Sequence, residues 1–202
     1  MSRYKAIIFD LGKVIFDLSF DRTFKFWAAR SCIQFNEIKN KFKFNEIFDK
    51  FEKDEINANE FRSKISQQLN LKLTDEEFDE GWCDLYLDVY NGIDNLLSDL
   101  KKQYKLVALT NTNCIHSKVW KEKYAPILEH FEKIFSSNEM KVRKPETEAY
   151  QMVLDYLKIP AQQIIFLDDN IENIKGAGEL GIKTLLVTSS QQMVNELSKI
   201  AN

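Results

Sequence analysis

The stretch AIIFDLGKVIFD, residues 6–17, decides the fold. Ala6-Ile7-Ile8-Phe9 is an apolar run with two β-branched residues. A short run of this kind, without polar alternation, reads as a strand buried on both faces. It ends on Asp10, and Gly12 stands two residues later. An acid at that place serves as a turn residue or as a reactive carboxylate on a rigid support, and the rest of the chain must separate the two.

The same pattern returns in QIIFLDD (163–169), where an apolar run meets Asp168 and Asp169. From about residue 91 strand-like and helix-like segments alternate. Ile93, Leu96, Leu97 and Leu100 have helical spacing, and KLVALT (105–110) is a short apolar strand. EKIFSS (132–137) is a weaker one. Pro145 stands where a helix can open, with Tyr150, Val153, Leu154 and Leu157 on one face. A short helix ends near Gly181, and KTLLVT (183–188) is the last strand. This order predicts an α/β fold: a doubly wound, Rossmann-like parallel sheet with right-handed crossovers.

Residues 18 to about 90 break the alternation. Phe20, Phe24, Trp27 and Ala28 share a helix face, as do Phe44, Ile47, Phe48 and Phe51, and Phe61, Ile65 and Leu69. Thr74 with Glu77 forms a capping box ahead of Phe78, Trp82 and Leu85. Four amphipathic helices then make a small bundle inserted after the first strand. The expected division is 1–17 with 89–202 for the sheet domain and 18–88 for the insert. The aromatic stripes read as core, and the charge run FEKDE (51–55) as a solvated face.

At 202 residues the chain can bury a sizeable core. Its net charge is −3, with lysines spread among acids, which argues against a nucleic-acid partner. No apolar stretch reaches the ~18 residues of a membrane span. The start runs directly into a strand, with no signal peptide in view. Cys32, Cys83 and Cys114 lie far apart without metal-type spacing, so reduced thiols and a cytoplasmic location are expected. With only His116 and His130, a zinc site or histidine triad is not expected.

Three strands end in polar groups: Asp10, Thr110-Asn111 and Asp168-Asp169. Lys144 precedes the helix after Pro145. Taken singly, each has a structural explanation as a turn, a helix cap or a surface lysine. In an open parallel sheet, however, the carboxyl ends of the strands border the ligand crevice. Three carboxylates gathered there repel by on the order of a few kcal/mol per close pair, so the site calls for a cation. All-oxygen ligands favour Mg²⁺.

FDLGKVIFD, LTNT, RKP and FLDDN occur in the order of the four motifs of the haloacid dehalogenase-like hydrolase superfamily, and the chain resembles that family throughout. The helical insert falls where the family carries its cap. DLG…VI…D, and TNTN followed by His116, resemble a branch that includes a bacterial α-D-glucose 1-phosphate phosphatase.

The resemblance implies a Mg²⁺-dependent phosphatase of a small phosphorylated metabolite, with Asp10 as the nucleophile. It implies metal ligation by the Asp10 carboxylate, the Gly12 carbonyl and the Asp168-Asp169 pair. Asp168 is the first choice for direct contact, with Asp169 acting through water or on Lys144. Thr110 and the Asn111 amide would hold phosphate oxygens, Lys144 would balance charge, and Asn170 and Asn173 would shape the fourth loop. Gly12 departs from the wider family, which places a second aspartate there as general acid and base. Such help is typically worth 10²–10⁴-fold. A sugar 1-phosphate, with its more acidic leaving group, needs it less; water, Lys13 or Asp17 are other proton sources. His116 is a candidate for substrate contact, and Phe20, Trp27, Phe44 and Phe48 for specificity. The competing readings are a catalytically weakened phosphate-binding or regulatory protein and a metal-independent dehalogenase. A phosphomutase is disfavoured, because Gly12 cannot move the protons it needs. A monomer is compatible with the sequence.

Overall fold

Ala6–Phe9 forms strand β1, and all four residues are buried. The chain then runs through β2 (Phe16–Leu18), β3 (Tyr86–Val89), β4 (Lys105–Thr110), β5 (Lys133–Ser136), β6 (Ile164–Asp168) and β7 (Lys183–Leu186). This computed structural model describes residues 3–201. Five strands pair in parallel in the order β5-β4-β1-β6-β7. The predicted doubly wound α/β sheet is the observed one.

The apolar runs follow from burial on two sides. Ile7, Phe9, Leu106, Ala108, Ile165 and Leu167 pack into one core layer. Their alternates Ala6, Ile8, Val107, Leu109, Ile164 and Phe166 pack into the opposite one. Period-two side-chain direction therefore places apolar groups on both faces. The helix Ile93–Leu100 covers the first layer through Ile93, Leu97 and Leu100. The helix Thr147–Leu157 covers the second through Tyr150, Val153 and Leu157.

Between β2 and β3 lie α1 (Phe20–Ser31), α2 (Phe35–Lys41), α3 (Glu46–Glu52), α4 (Ala58–Leu69) and α5 (Asp75–Cys83). Sequence periodicity predicts four helices here, and there are five. The extra one, α2, buries only Ile38, too little to leave a stripe. Leu85, assigned by its spacing to the last helix, lies beyond α5 and packs with the sheet. The insert has its own core, built from Phe24, Trp27, Phe51, Phe61, Phe78 and Trp82 among others. Trp27 and Trp82 stack with ring centroids 5.6 Å apart. A Cβ on Gly81 would stand 2.5 Å from the Trp27 ring, so the α1–α5 contact requires glycine there. The predicted capping box is present: Glu77 N donates to Thr74 Oγ1, and Thr74 N to Glu77 Oε2. The insert leaves and rejoins the sheet through β2 and β3, which pair antiparallel.

Candidate active site

β1 is central and in register with both neighbours, so Phe9 stands beside Ala108 on β4 and Leu167 on β6. The residues that follow therefore reach one edge together. Asp10 comes off β1, Thr110 ends β4, and Asp168 ends β6. The order of strand addition reverses here: from β1 the sheet grows outward through β4 and β5, then continues with β6 and β7 on the other side. This is the switch point at which open α/β sheets bind ligands.

Lys144, 1% exposed, lies between two acids. Its Nζ is 2.7 Å from Asp10 Oδ1 and 2.7 Å from Asp168 Oδ2. Asn111 holds it in place: Lys144 N donates to Asn111 Oδ1, and Asn111 Nδ2 donates to the Lys144 carbonyl, both at 2.9 Å. Asp168 also receives Asn173 Nδ2 on both oxygens, at 3.0 Å each, and Asn170 N on Oδ1 at 2.8 Å. Each of its oxygens thus accepts two donors, which fills a carboxylate's capacity.

One oxygen from each of Asp10, Asp168 and Asp169 falls within a group no more than 4.8 Å across. Burial pushes the Asp10 carboxyl up to about 7; Lys144 opposes this rise and Asp168 adds to it. Burial also raises the Asp169 carboxyl, and Asp168 beside it adds to that. Burial acts against the Lys144 ammonium, yet Asp10 and Asp168 hold its pKa above the ordinary lysine value. Three carboxylates around one ammonium leave the cluster short of positive charge. Their all-oxygen donor set suits a hard divalent cation such as Mg²⁺.

The cluster opens into a cavity of about 420 Å³. Asp10, Gly12, Thr110, Asn111, Lys144, Asp168 and Asp169 all line it, so the structure brings these seven residues to one place.

A family model described as haloacid dehalogenase-like hydrolase matches residues 4–181. The chain belongs to this family. It is 26% identical over 206 residues to the D-ribitol-5-phosphate phosphatase of Bacteroides thetaiotaomicron, with 98% of each chain covered. A HAD family enzyme of the same organism superposes with a TM-score of 0.85 at 30% identity, over 96% of this chain and 98% of that one. The same enzyme, wild type and solved in complex with magnesium and inorganic phosphate, gives 0.80 at 33% identity, over 92% and 95%.

Several secondary expectations are revised in this haloacid dehalogenase-like hydrolase. The Asn111 side chain, besides lining the cavity, pairs with the Lys144 backbone, a role its sequence position did not suggest. His116 lines the cavity, but both ring nitrogens are engaged, Nδ1 with Asn113 Nδ2 and Nε2 with the Trp82 carbonyl. Burial lowers its pKa to about 4, so it is neutral, and it serves as a structural link. Asp17 accepts from Tyr90 Oη and borders a neighbouring cavity rather than this one. Trp27 is sealed in the insert core, whereas Phe20, Phe44 and Phe48 reach the cavity.

Sequence reading missed Glu52. It was hidden in a charge run read as a solvated face, yet it is 5% exposed and lines the cavity. A signal existed, because Glu52 lies four residues after Phe48 and so on the same helix stripe. Among the described residues no helix is long and apolar enough to cross a membrane.

Proposed function

We propose that the chain is a Mg²⁺-dependent phosphatase of a small phosphorylated sugar or polyol, with residues 18–88 acting as its cap. The gathering of Asp10, Asp168 and Asp169 around Lys144 carries this reading. The phosphatase relative supports it, as does the magnesium and phosphate in the related enzyme.

Asp10 is the nucleophile. Its carboxylate oxygen attacks phosphorus, the ester oxygen departs, and water then hydrolyses the aspartyl-phosphate. Lys144 orients Asp10 and favours its ionised form against the effect of burial. Thr110 faces the phosphate from the end of β4, and Asn111 acts by fixing Lys144. Asp10, Asp169 and the Gly12 carbonyl are the groups suited to hold the metal. Asp168, which accepts four hydrogen bonds from three donor groups, anchors Lys144 instead. When bound, Mg²⁺ neutralises charge on the phosphoryl oxygens and aligns them with Asp10.

For the substrate, the sequence resemblance favours glucose 1-phosphate, and the full-length phosphatase relative favours D-ribitol 5-phosphate. The test begins with p-nitrophenyl phosphate, whose leaving group barely needs a proton. Release is expected with Mg²⁺, to be abolished by chelation and by Asp10→Asn. A wild-type protein inert toward this ester in Mg²⁺ would leave a phosphate-binding protein. A panel of sugar and polyol phosphates then ranks the substrates.

A further inference from the structure

Four residues of the helices α1–α5 and the loops that join them to one another reach the cavity: Phe20, Phe44, Phe48 and Glu52. Three are phenyl rings, and one is a carboxylate at the end of α3. Glu52 is anchored from the sheet side. Its Oε2 accepts from Arg143 Nε at 2.8 Å, and Arg143 Nη1 also pairs with Asp49 Oδ1 at 2.8 Å. Arg143 directly precedes Lys144, so the insert's single cavity-facing acid is fixed relative to the reaction centre.

We propose that Glu52 is the substrate-recognising residue of the insert, accepting hydroxyl hydrogen bonds from a polyhydroxylated leaving group whose carbon skeleton packs on Phe20, Phe44 and Phe48. This rests on the phosphatase reading and names its substrate class. A wholly apolar leaving group would offer no donor to the part of the carboxylate that Arg143 does not engage, which is unfavourable. A cationic leaving group is not required, since Arg143 already balances the charge. Neutral hydroxyls are the remaining donors, and phenyl faces beside an acceptor suit an alcohol that is apolar on C–H and polar on O–H. A volume near 420 Å³ lies in the range of small-ligand sites and admits a five- or six-carbon phosphate ester.

The alternative is that Glu52 only clasps the insert to the sheet, and relative affinities separate the two. The Asp10→Asn protein, which does not turn over, is titrated calorimetrically in Mg²⁺ with ribitol 5-phosphate, glucose 1-phosphate and inorganic phosphate. The titrations are repeated with Glu52→Gln and Glu52→Leu added. Glu52→Leu is expected to weaken at least one polyol ester about 10- to 100-fold relative to inorganic phosphate, and the isosteric Glu52→Gln about 10-fold or less. Asp49→Asn, which loosens Arg143 from outside the cavity, should leave that ratio unchanged. Equal weakening of all three ligands in the Glu52 variants identifies a clasp and overturns the proposal. So does an unchanged ratio, or a protein that binds neither ester better than inorganic phosphate. A loss of turnover in Glu52→Gln without a change in the affinity ratio would make Glu52 a proton donor and also overturn it. Failure of the phosphatase reading is seen separately, in the aryl ester assay of the wild-type protein.

Discussion

Leu18 Cδ1 lies 2.6 Å from the point where a Cβ on Gly12 would stand. The wider family's acid position is thus closed here by a side chain from β2. The obstruction is the tip of a flexible residue, so it can be relieved. Gly12→Asp combined with Leu18→Ala is expected to raise kcat toward an alkyl phosphate such as glycerol 3-phosphate on the order of 10²-fold over Leu18→Ala alone. Activity on p-nitrophenyl phosphate should change far less. An equal gain on both esters, or none on the alkyl one, would mean that a missing proton donor does not limit the chain.

Lys144 is the ammonium between Asp10 and Asp168. Removing one partner of a buried ionic group typically costs 3–5 kcal/mol. Lys144→Met should lose about that much stability in chemical denaturation without divalent ions. Added Mg²⁺ should return part of it, and return more than it adds to the wild-type protein. Denaturation curves indifferent to Mg²⁺ in both proteins would remove the cation from the acidic cluster.

Burial raises the Glu52 carboxyl from 4.5 to about 7, with Arg143 opposing the rise. The folded state therefore favours the protonated form. The stability this group contributes is complete below its unfolded value and is lost as pH climbs through 7. Glu52→Gln, a neutral mimic, should match the wild-type protein near pH 4 and exceed it at pH 8 by up to about 3 kcal/mol. Thermal melts at the two pH values measure the difference, and parallel curves would exclude a raised pKa.

Lys13 has φ of 59°, in the left-handed region that favours glycine. Lys13→Gly should relieve about 1 kcal/mol of backbone strain, seen as a rise in Tm of roughly 2–4 °C for a chain of this size. A fall in Tm would show that the lysine side chain contributes more than its backbone loses.

The sheet was legible because strands buried on both faces leave apolar runs with sharp polar ends, and β1, β4 and β6 all have that form. The cluster at their ends was legible for the same reason, since Asp10 and Asp168 stand at those boundaries. Roles decided by hydrogen-bond partners were not. Asn111 and Asp168 read as ligands in sequence, and only the structure shows that the Asn111 side chain also pairs with the Lys144 backbone and that Asp168 also receives Asn173. The short helix α2 and the ribbon of β2 and β3 escaped because each has a single buried residue, which makes no period. Glu52 escaped because a charged run was read as one face, whereas a helix turns its neighbours in different directions.

Phe9, Ala108 and Leu167 stand abreast in three strands sealed on both sides. A single-residue slip in β4 or β6 would turn each side chain to the opposite core layer and separate Asp10 from its companions at one stroke. The reactive ensemble is therefore inherited whole or lost whole. Changes in the segments beyond the strand ends leave the alignment beneath them untouched.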